Sequence, residues 1–427
     1  MNTADRIVVV NGTRTPFTRA RTVFKKLPAS TLGGAVLRET VARSEVDPSL
    51  IDEIYFGIVS APADGPNVSR EALFDAGLPS TIPCTTLNRY CASAAEAAAG
   101  IAAKIMAGQI EIGIAGGVES ISSIRALFSQ DATDFFQDFG KAKTPAQKLS
   151  HLSKFKPALM TPHAPGINEP TTGLSMGQSG DLMARQFKVS REEQDRYAVD
   201  SHRKAHEAWE RGFYKTHVIP VGTPDGKVVD KDTDIRSDTS VEKLASLRPV
   251  FYKDGTITAG NASPLTDGAA AVLLMRESKA RELGLKPLGA IRSVAASAVD
   301  ILKEPLLIGP AFAIPRVLKK AGITWNDLDL IEMHEAFAGQ VLATIRAIES
   351  KEWAKEKLGM DQAIGMVDRA KLNVNGGSIP LGHPFGATGA RMILQTLHEL
   401  RDMKKNLGLI SICAAGGMGM VLVVEAI

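Results

Sequence analysis

Cysteine is scarce in this chain, with only Cys84, Cys91 and Cys413 among 427 residues. Three thiols in a chain this long are no disulfide framework, and a reducing compartment is the expectation. No CxxC pair and no His-rich spacing occurs, so no metal site is read from the sequence. A strong charge of one sign is missing too. The net charge is +3, with basic and acidic residues nearly balanced. That argues against a nucleic-acid partner, which needs a concentrated basic face. No stretch approaches the roughly 20 apolar residues of a membrane span. Residues 1–6 are polar and open no secretory signal. A cytoplasmic location is the expectation.

What is present reads as an ordinary globular chain, 44% apolar and 23% charged. Its length calls for two or three packed units. Strand and helix patterns alternate: strands at 7–10, 54–58 and 110–115, helices at 31–44 and from Cys91 to residue 106. This is a layered α/β pattern. A looser copy returns near the C-terminus. The helix at 314–321, the segment 325–329 and the strand at 330–333 repeat the order seen around 31–58. Leu87-Asn88 is echoed by Leu372-Asn373, and the run 114–117 by 414–417. The expected division is one half from 1–120 with 260–285, a second from 286–427, and an inserted lid or substrate-binding subdomain at 121–259.

Four residues stand out chemically. Cys91 precedes an alanine-rich run, and a thiol at a helix N-terminus meets orphan N–H groups that favour the thiolate. His383 lies in the run NGGSIPLGHPFGATGAR (375–391), an irregular loop that holds an imidazole against other backbone. Cys413 sits at a strand end before Gly416 and Gly417, whose backbone can approach a ligand closely. His334 ends the strand at 330–333, where α/β proteins place function. Each has an ordinary alternative: a core cysteine, a histidine satisfied in a turn, a capping residue.

Together the Cys91 segment, the run His334-Glu335-Ala336-Phe337, the Gly382-His383-Pro384 loop and the Cys413 turn resemble the four active-site blocks of the thiolases. The resemblance spans nearly the whole chain. Most members carry Asn at the place of His334, and histidine there resembles the β subunits of trifunctional β-oxidation complexes. Pro380, where a small Ser or Ala is usual, bears on the loop ahead of His383.

The resemblance implies a fold of two related α/β halves in α-β-α-β-α layers. It implies thiolytic cleavage of a 3-oxoacyl-CoA, with coenzyme A as a substrate and no bound cofactor. Cys91 is then the nucleophile, His383 its base and Cys413 the acid. His383 and His334 serve one oxyanion, and the backbone N–H groups of Cys91 and Ala415 the other. Met176, Ser263 and Arg236 match CoA-contacting positions. A homodimer or larger assembly is implied, with an α subunit carrying hydratase and dehydrogenase activities as a partner. The stretch 135–156 carries phenylalanines and lysines at amphipathic spacing, a pattern suited to an anionic membrane surface. Competing readings are a biosynthetic acetyl-CoA C-acetyltransferase, a decarboxylating ketoacyl synthase and a non-catalytic acyl-CoA-binding module.

Overall fold

The computed structural model of the chain describes residues 5–162 and 168–427. It forms two compact units: residues up to Ser123 together with Glu169–Ile427, and Ile124–Asn168. The strands in chain order are β1 (Ile7–Arg14), β2 (Thr18–Arg19), β3 (Glu53–Gly57), β4 (Cys84–Leu87), β5 (Ile112–Glu119), β6 (Val221–Gly222), β7 (Val228–Val229), β8 (Thr266–Arg276), β9 (Gly289–Ala298), β10 (Leu330–Met333), β11 (Leu407–Ala414) and β12 (Met418–Ala426). β6 and β7 pair only with each other, and β2 adds to β8. The rest form one sheet in the order β10-β11-β12-β9-β1-β8-β5-β3-β4.

That order contains the repeat. Going outward from the middle, β1, β8 and β5 pair antiparallel and β3 joins β5 in parallel. On the other side β9, β12 and β11 pair antiparallel and β10 joins β11 in parallel. The halves meet where β1 pairs with β9 at Ile7, Val8 and Val9. A short 3-10 turn precedes each parallel strand, Pro48–Leu50 before β3 and Trp325–Asp327 before β10. Leu372 bridges Ile331 in parallel as Leu87 pairs with Gly57, so the Leu-Asn echo marks equivalent places.

Strand side chains alternate between faces. Val8, Val10, Ala271 and Leu273 pack outward beneath the helices Ala29–Ser44 and Val68–Ala76. Val9, Val272 and Leu274 face inward and meet Ile410, Ile412, Leu422 and Val424 from the other half. Leu409, Val421 and Val423 face outward again, against Gly309–Ala321 and Ala338–Glu349. Two helices, Ser93–Met106 and Thr388–Asp402, fill the middle with Ala98, Ile101, Ile393 and Leu397. The result is helix, one half of the sheet, helix pair, the other half of the sheet, helix, the five layers expected. Each fully buried Leu or Ile here contributes roughly 1.5–3 kcal/mol.

The central helices touch backbone to backbone near their starts. A Cβ placed on Gly389 would lie 2.4 Å from the Ala95 nitrogen. The helices Met176–Gln186 and Arg191–Glu210 belong to the main unit, and a buried ion pair fastens the following segment to β1. Arg14 donates to both Asp232 oxygens at 2.6 and 2.8 Å, and Asp232 also accepts from Phe17 N at 2.7 Å and Trp209 Nε1 at 3.1 Å.

The unit Ile124–Asn168 has two helices, Gln130–Lys141 and Pro145–Leu152, capped by Ser129 and Thr144. Phe135 gathers Phe136, Phe139 and Phe155 at ring separations of 5.4, 6.4 and 5.6 Å. Phe136, Leu149, Leu152, Phe155 and Met160 remain exposed. So do Lys141, Lys143, Lys148, Lys154 and Lys156.

Candidate active site

Cys91 does not begin its helix. The helix runs Ser93–Met106, and Cys91 lies in the tight turn before it. Asn88 Oδ1 accepts from Tyr90 N at 2.8 Å, and Tyr90 adopts a left-handed φ of 48°. Such a conformation costs an aromatic residue about 1–3 kcal/mol and aims the next side chain sharply. Ser93 Oγ ties the turn by accepting from Arg89 N at 2.8 Å and donating to Tyr90 O at 2.6 Å.

His383 Nε2 lies 3.2 Å from Cys91 Sγ. Its loop is seated on the ends of β3 and β5: the Gly386 carbonyl passes so close to Gly117 that a Cβ there would be 1.9 Å away. His383 Nδ1 meets Thr388 Oγ1 at 2.7 Å, and that hydroxyl donates to Pro384 O at 3.0 Å. Pro380 falls in the four-residue helix Ser378–Leu381, within a first turn where its missing N–H has no helical partner to lose.

His334 follows β10 directly, with its N–H bonded to Ser411 O at 2.8 Å. Its Nε2 lies 3.2 Å from His383 Nε2, and its Nδ1 lies 2.9 Å from Ser378 Oγ. Sγ of Cys91 and one ring nitrogen of each histidine lie within 4.8 Å of one another. That spacing would also suit a soft divalent ion, but shuttling a thiol proton needs no metal.

Cys413 is buried near the end of β11, paired with Gly419 across the turn to β12. Gly416 and Gly417 take φ of 73° and 69°, which side-chain-bearing residues rarely adopt. Glu169 pins this turn by accepting from Gly416 N at 2.8 Å. The N–H groups of Cys91 and Ala415 face the Cys91 sulfur. Two backbone donors converging beside one sulfur are the arrangement that an oxyanion site requires.

Burial governs the electrostatics. It pushes the Cys91 thiol up to about 12, aided by the Glu119 carboxylate and opposed by the two N–H groups. Cys413 is pushed up by burial and by the neighbouring Cys91. Burial, with the Arg391 charge, pushes His383 down to about 3. His334 is likewise held well below the usual histidine range by burial, then by His383 and Arg391. The sequence-level expectation of a helix-stabilised thiolate is therefore corrected. The helix starts two residues late, and desolvation outweighs the donors.

The CoA-contacting candidates sit on different parts of the main unit. Met176 opens the helix Met176–Gln186, half-buried against the apolar cluster that contains Cys413. Ser263 is half-buried, and its Oγ donates to Ala336 O at 3.2 Å, just beyond His334 and Glu335. Arg236 is exposed, with its backbone N–H on His202 Nδ1 at 3.1 Å.

Several residues around the site escaped the sequence reading. Glu119, at the end of β5, accepts from Val59, Ser60 and Gly386 N–H groups at 3.0, 2.9 and 3.0 Å. Glu335 accepts from Tyr197, Ser201, Asn373 and the Ile379 N–H, joining the helix Arg191–Glu210 to the His383 loop. Arg391, fully buried, donates to Ser378 Oγ at 2.8 Å and pairs with Glu332.

Comparison with known proteins agrees with this geometry. Residues 7–278 match the thiolase N-terminal domain and residues 285–426 the thiolase C-terminal domain. The chain is 45% identical over 423 residues to a 3-ketoacyl-CoA thiolase of Yersinia enterocolitica, covering 99% of this chain and 97% of that one. It is 46% identical over 423 residues to the 3-ketoacyl-CoA thiolase of Pectobacterium atrosepticum, with the same coverage. Among solved structures, an acetyl-CoA acetyltransferase of Bacillus anthracis superposes with a TM-score of 0.85 at 33% identity, each chain covered completely. With two cysteines and two histidines meeting between the halves of a five-layered fold, and both domains matched along nearly its whole length, this chain belongs to the thiolase family of acyltransferases.

Proposed function

We propose that the chain is a 3-ketoacyl-CoA thiolase, cleaving a 3-oxoacyl-CoA with coenzyme A to acetyl-CoA and a shortened acyl-CoA. The observation that carries this is the 3.2 Å contact from Cys91 Sγ to His383 Nε2, beside a second cysteine close enough to feel its charge. His383 takes the Cys91 proton as the sulfur bonds to the 3-oxo carbon. The C2–C3 bond breaks, its electrons form the acetyl-CoA enolate, and Cys413 protonates C2. The Cys413 thiolate then deprotonates the incoming CoA. The CoA sulfur attacks the acyl carbon, and Cys91 leaves and recovers its proton from His383.

Once His383 is protonated, its Nε2–H and that of His334 stand 3.2 Å apart. An oxygen between them suits the enolate, while Cys91 N–H and Ala415 N–H suit the former ketone oxygen. Met176 and Ser263 are assigned to the pantetheine arm and Arg236 to the phosphates. A panel of 3-oxoacyl-CoA substrates, of four carbons and of ten to sixteen, followed at the thioester enolate absorbance with and without CoA, tests the reading. CoA-independent turnover, or none, refutes it. The biosynthetic direction is the second reading, favoured by the superposition on an acetyl-CoA acetyltransferase; acceptance of only the four-carbon substrate would select it.

The degradative, trifunctional β-subunit type and a cytoplasmic location belong to the same proposal. No described helix is long and apolar enough to cross a membrane. The exposed phenylalanines, leucines and lysines of Ile124–Asn168 suit peripheral contact with anionic lipid. Equal flotation with neutral and anionic vesicles would end the lipid idea, and co-purification tests the α subunit. β4 lies at a sheet edge with half-buried side chains, which favours a homodimer through that edge. The division into 1–120 with 260–285, 121–259 and 286–427 is proposed on the mirrored strand order.

A further inference from the structure

We infer that Ser378 and Arg391 fix the tautomer of His334, so that its Nε2 carries the hydrogen and can donate to the reacting oxygen. The inference rests on the thiolase reading for its functional meaning. Its chemistry follows from hydrogen-bond accounting alone.

A guanidinium has five N–H donors and no acceptor, and it stays charged. Arg391 is fully buried and donates Nη2–H to Ser378 Oγ at 2.8 Å. Its Nη1 donates to Glu332, which is 1% exposed within the otherwise apolar strand β10. Ser378 Oγ therefore accepts from Arg391, and its own hydrogen needs an acceptor. Among the described residues the other partner of that oxygen is His334 Nδ1, at 2.9 Å. Nδ1 must then bear the lone pair. A neutral imidazole has one N–H, so the hydrogen lies on Nε2.

The neighbouring ring gives an independent check. Thr388 donates its hydroxyl to Pro384 O, so Thr388 Oγ1 accepts from His383 Nδ1–H. His383 Nε2 is consequently a lone pair. The two rings hold opposite tautomers, so the 3.2 Å contact between their Nε2 atoms is attractive rather than a clash, with His334 N–H and the Cys91 thiol sharing the one lone pair of His383 Nε2. When Cys91 passes its proton to His383, that attraction is lost. His334 is left with a free N–H aimed where the substrate oxygen arrives. Ser378 and Arg391 are positioning residues, since they touch neither substrate nor reacting sulfur.

The test combines kinetics with nitrogen NMR on histidine-labelled enzyme. Ser378→Ala should lower kcat by up to about 10²–10³, the usual loss for one oxyanion donor. In a His334→Asn background, where an amide donor has no tautomer to fix, the same substitution should cost less than about threefold. A merely structural role would slow both backgrounds equally and would overturn the inference. The His334 resonance, identified by its absence in His334→Asn, should show Nε2–H in the wild type and a tautomer mixture in Ser378→Ala. A wild-type Nδ1–H form would also refute it. Absence of thiolysis in the wild type would instead sink the functional reading, and the NMR result would still decide the tautomer.

Discussion

The resting site should hold a neutral thiol and a neutral imidazole. Burial pushes Cys91 up to about 12 and His383 down to about 3. A gap of about nine in pKa corresponds to about 12 kcal/mol for moving the proton between isolated partners. The ions attract at the 3.2 Å contact by about 5 kcal/mol with an effective dielectric constant near 20. About 7 kcal/mol remains against the ion pair, so roughly one molecule in 10⁵ holds it. Substrate must supply the rest by offering a carbonyl and filling the oxyanion sites. The assay is ultraviolet thiolate absorbance, wild type minus Cys91→Ser, scanned between about pH 6 and 9, where a free thiol near 8.5 would titrate. No difference is expected, because Cys91 stays protonated throughout that range, and Cys84 and Cys413, also pushed up by burial, add no signal of their own. A thiolate signal rising below about pH 8 would show that the helix and its N–H donors outweigh desolvation, reversing the argument.

Asp232→Asn should destabilise the chain by about 3–5 kcal/mol by leaving the buried Arg14 without its counter-charge. In a chain this long that is a melting shift of about 3–5 °C, and a shift under about 1 °C would contradict it. Glu119 offers a pH signature. Burial raises its carboxyl from 4.5 to about 7, so the folded chain keeps a proton that the unfolded chain has already released. Its contribution is complete below about pH 4.5 and lost as the pH rises through about 7, up to roughly 3 kcal/mol. Glu119→Gln should flatten that part of the denaturation profile, and an unchanged slope would reject the assignment. Cys413→Ala should slow cleavage by about 10²–10⁴ while Cys91 still accepts an acyl group, as read by mass spectrometry; an unchanged rate would place the acid elsewhere.

The four chemical side chains were legible because each sits in a short run whose glycines, prolines and small residues have little other reason to occur together. The alternating strand and helix patterns made a layered, repeated α/β fold legible, and the resemblance to the thiolases supplied the number of layers. The supporting residues were not, because their roles arise only when distant segments meet. Glu119 reads as the last residue of a buried strand until Gly386 reaches it from 267 positions away. Glu332 and Arg391 did leave a trace: each is a charge inside an apolar run, and a buried charge requires a partner of opposite sign. Which partner, and that Ser378 stands between Arg391 and His334, depends on how β10 and the last helix pack. The state of Cys91 was misjudged for a similar reason, since local position announces a helix dipole while desolvation belongs to the whole surroundings.

Cys91 and His383, the proposed nucleophile and base, stand just ahead of two separate helices, which meet where Gly389 lies bare against Ala95. Catalytic spacing in this enzyme is thus inherited from the interior. A single added methyl at that contact would prise the two carriers apart near the ends that bear sulfur and imidazole, and proton transfer would lengthen by whatever the core yields. Drift in rate can begin at a position that no ligand ever meets.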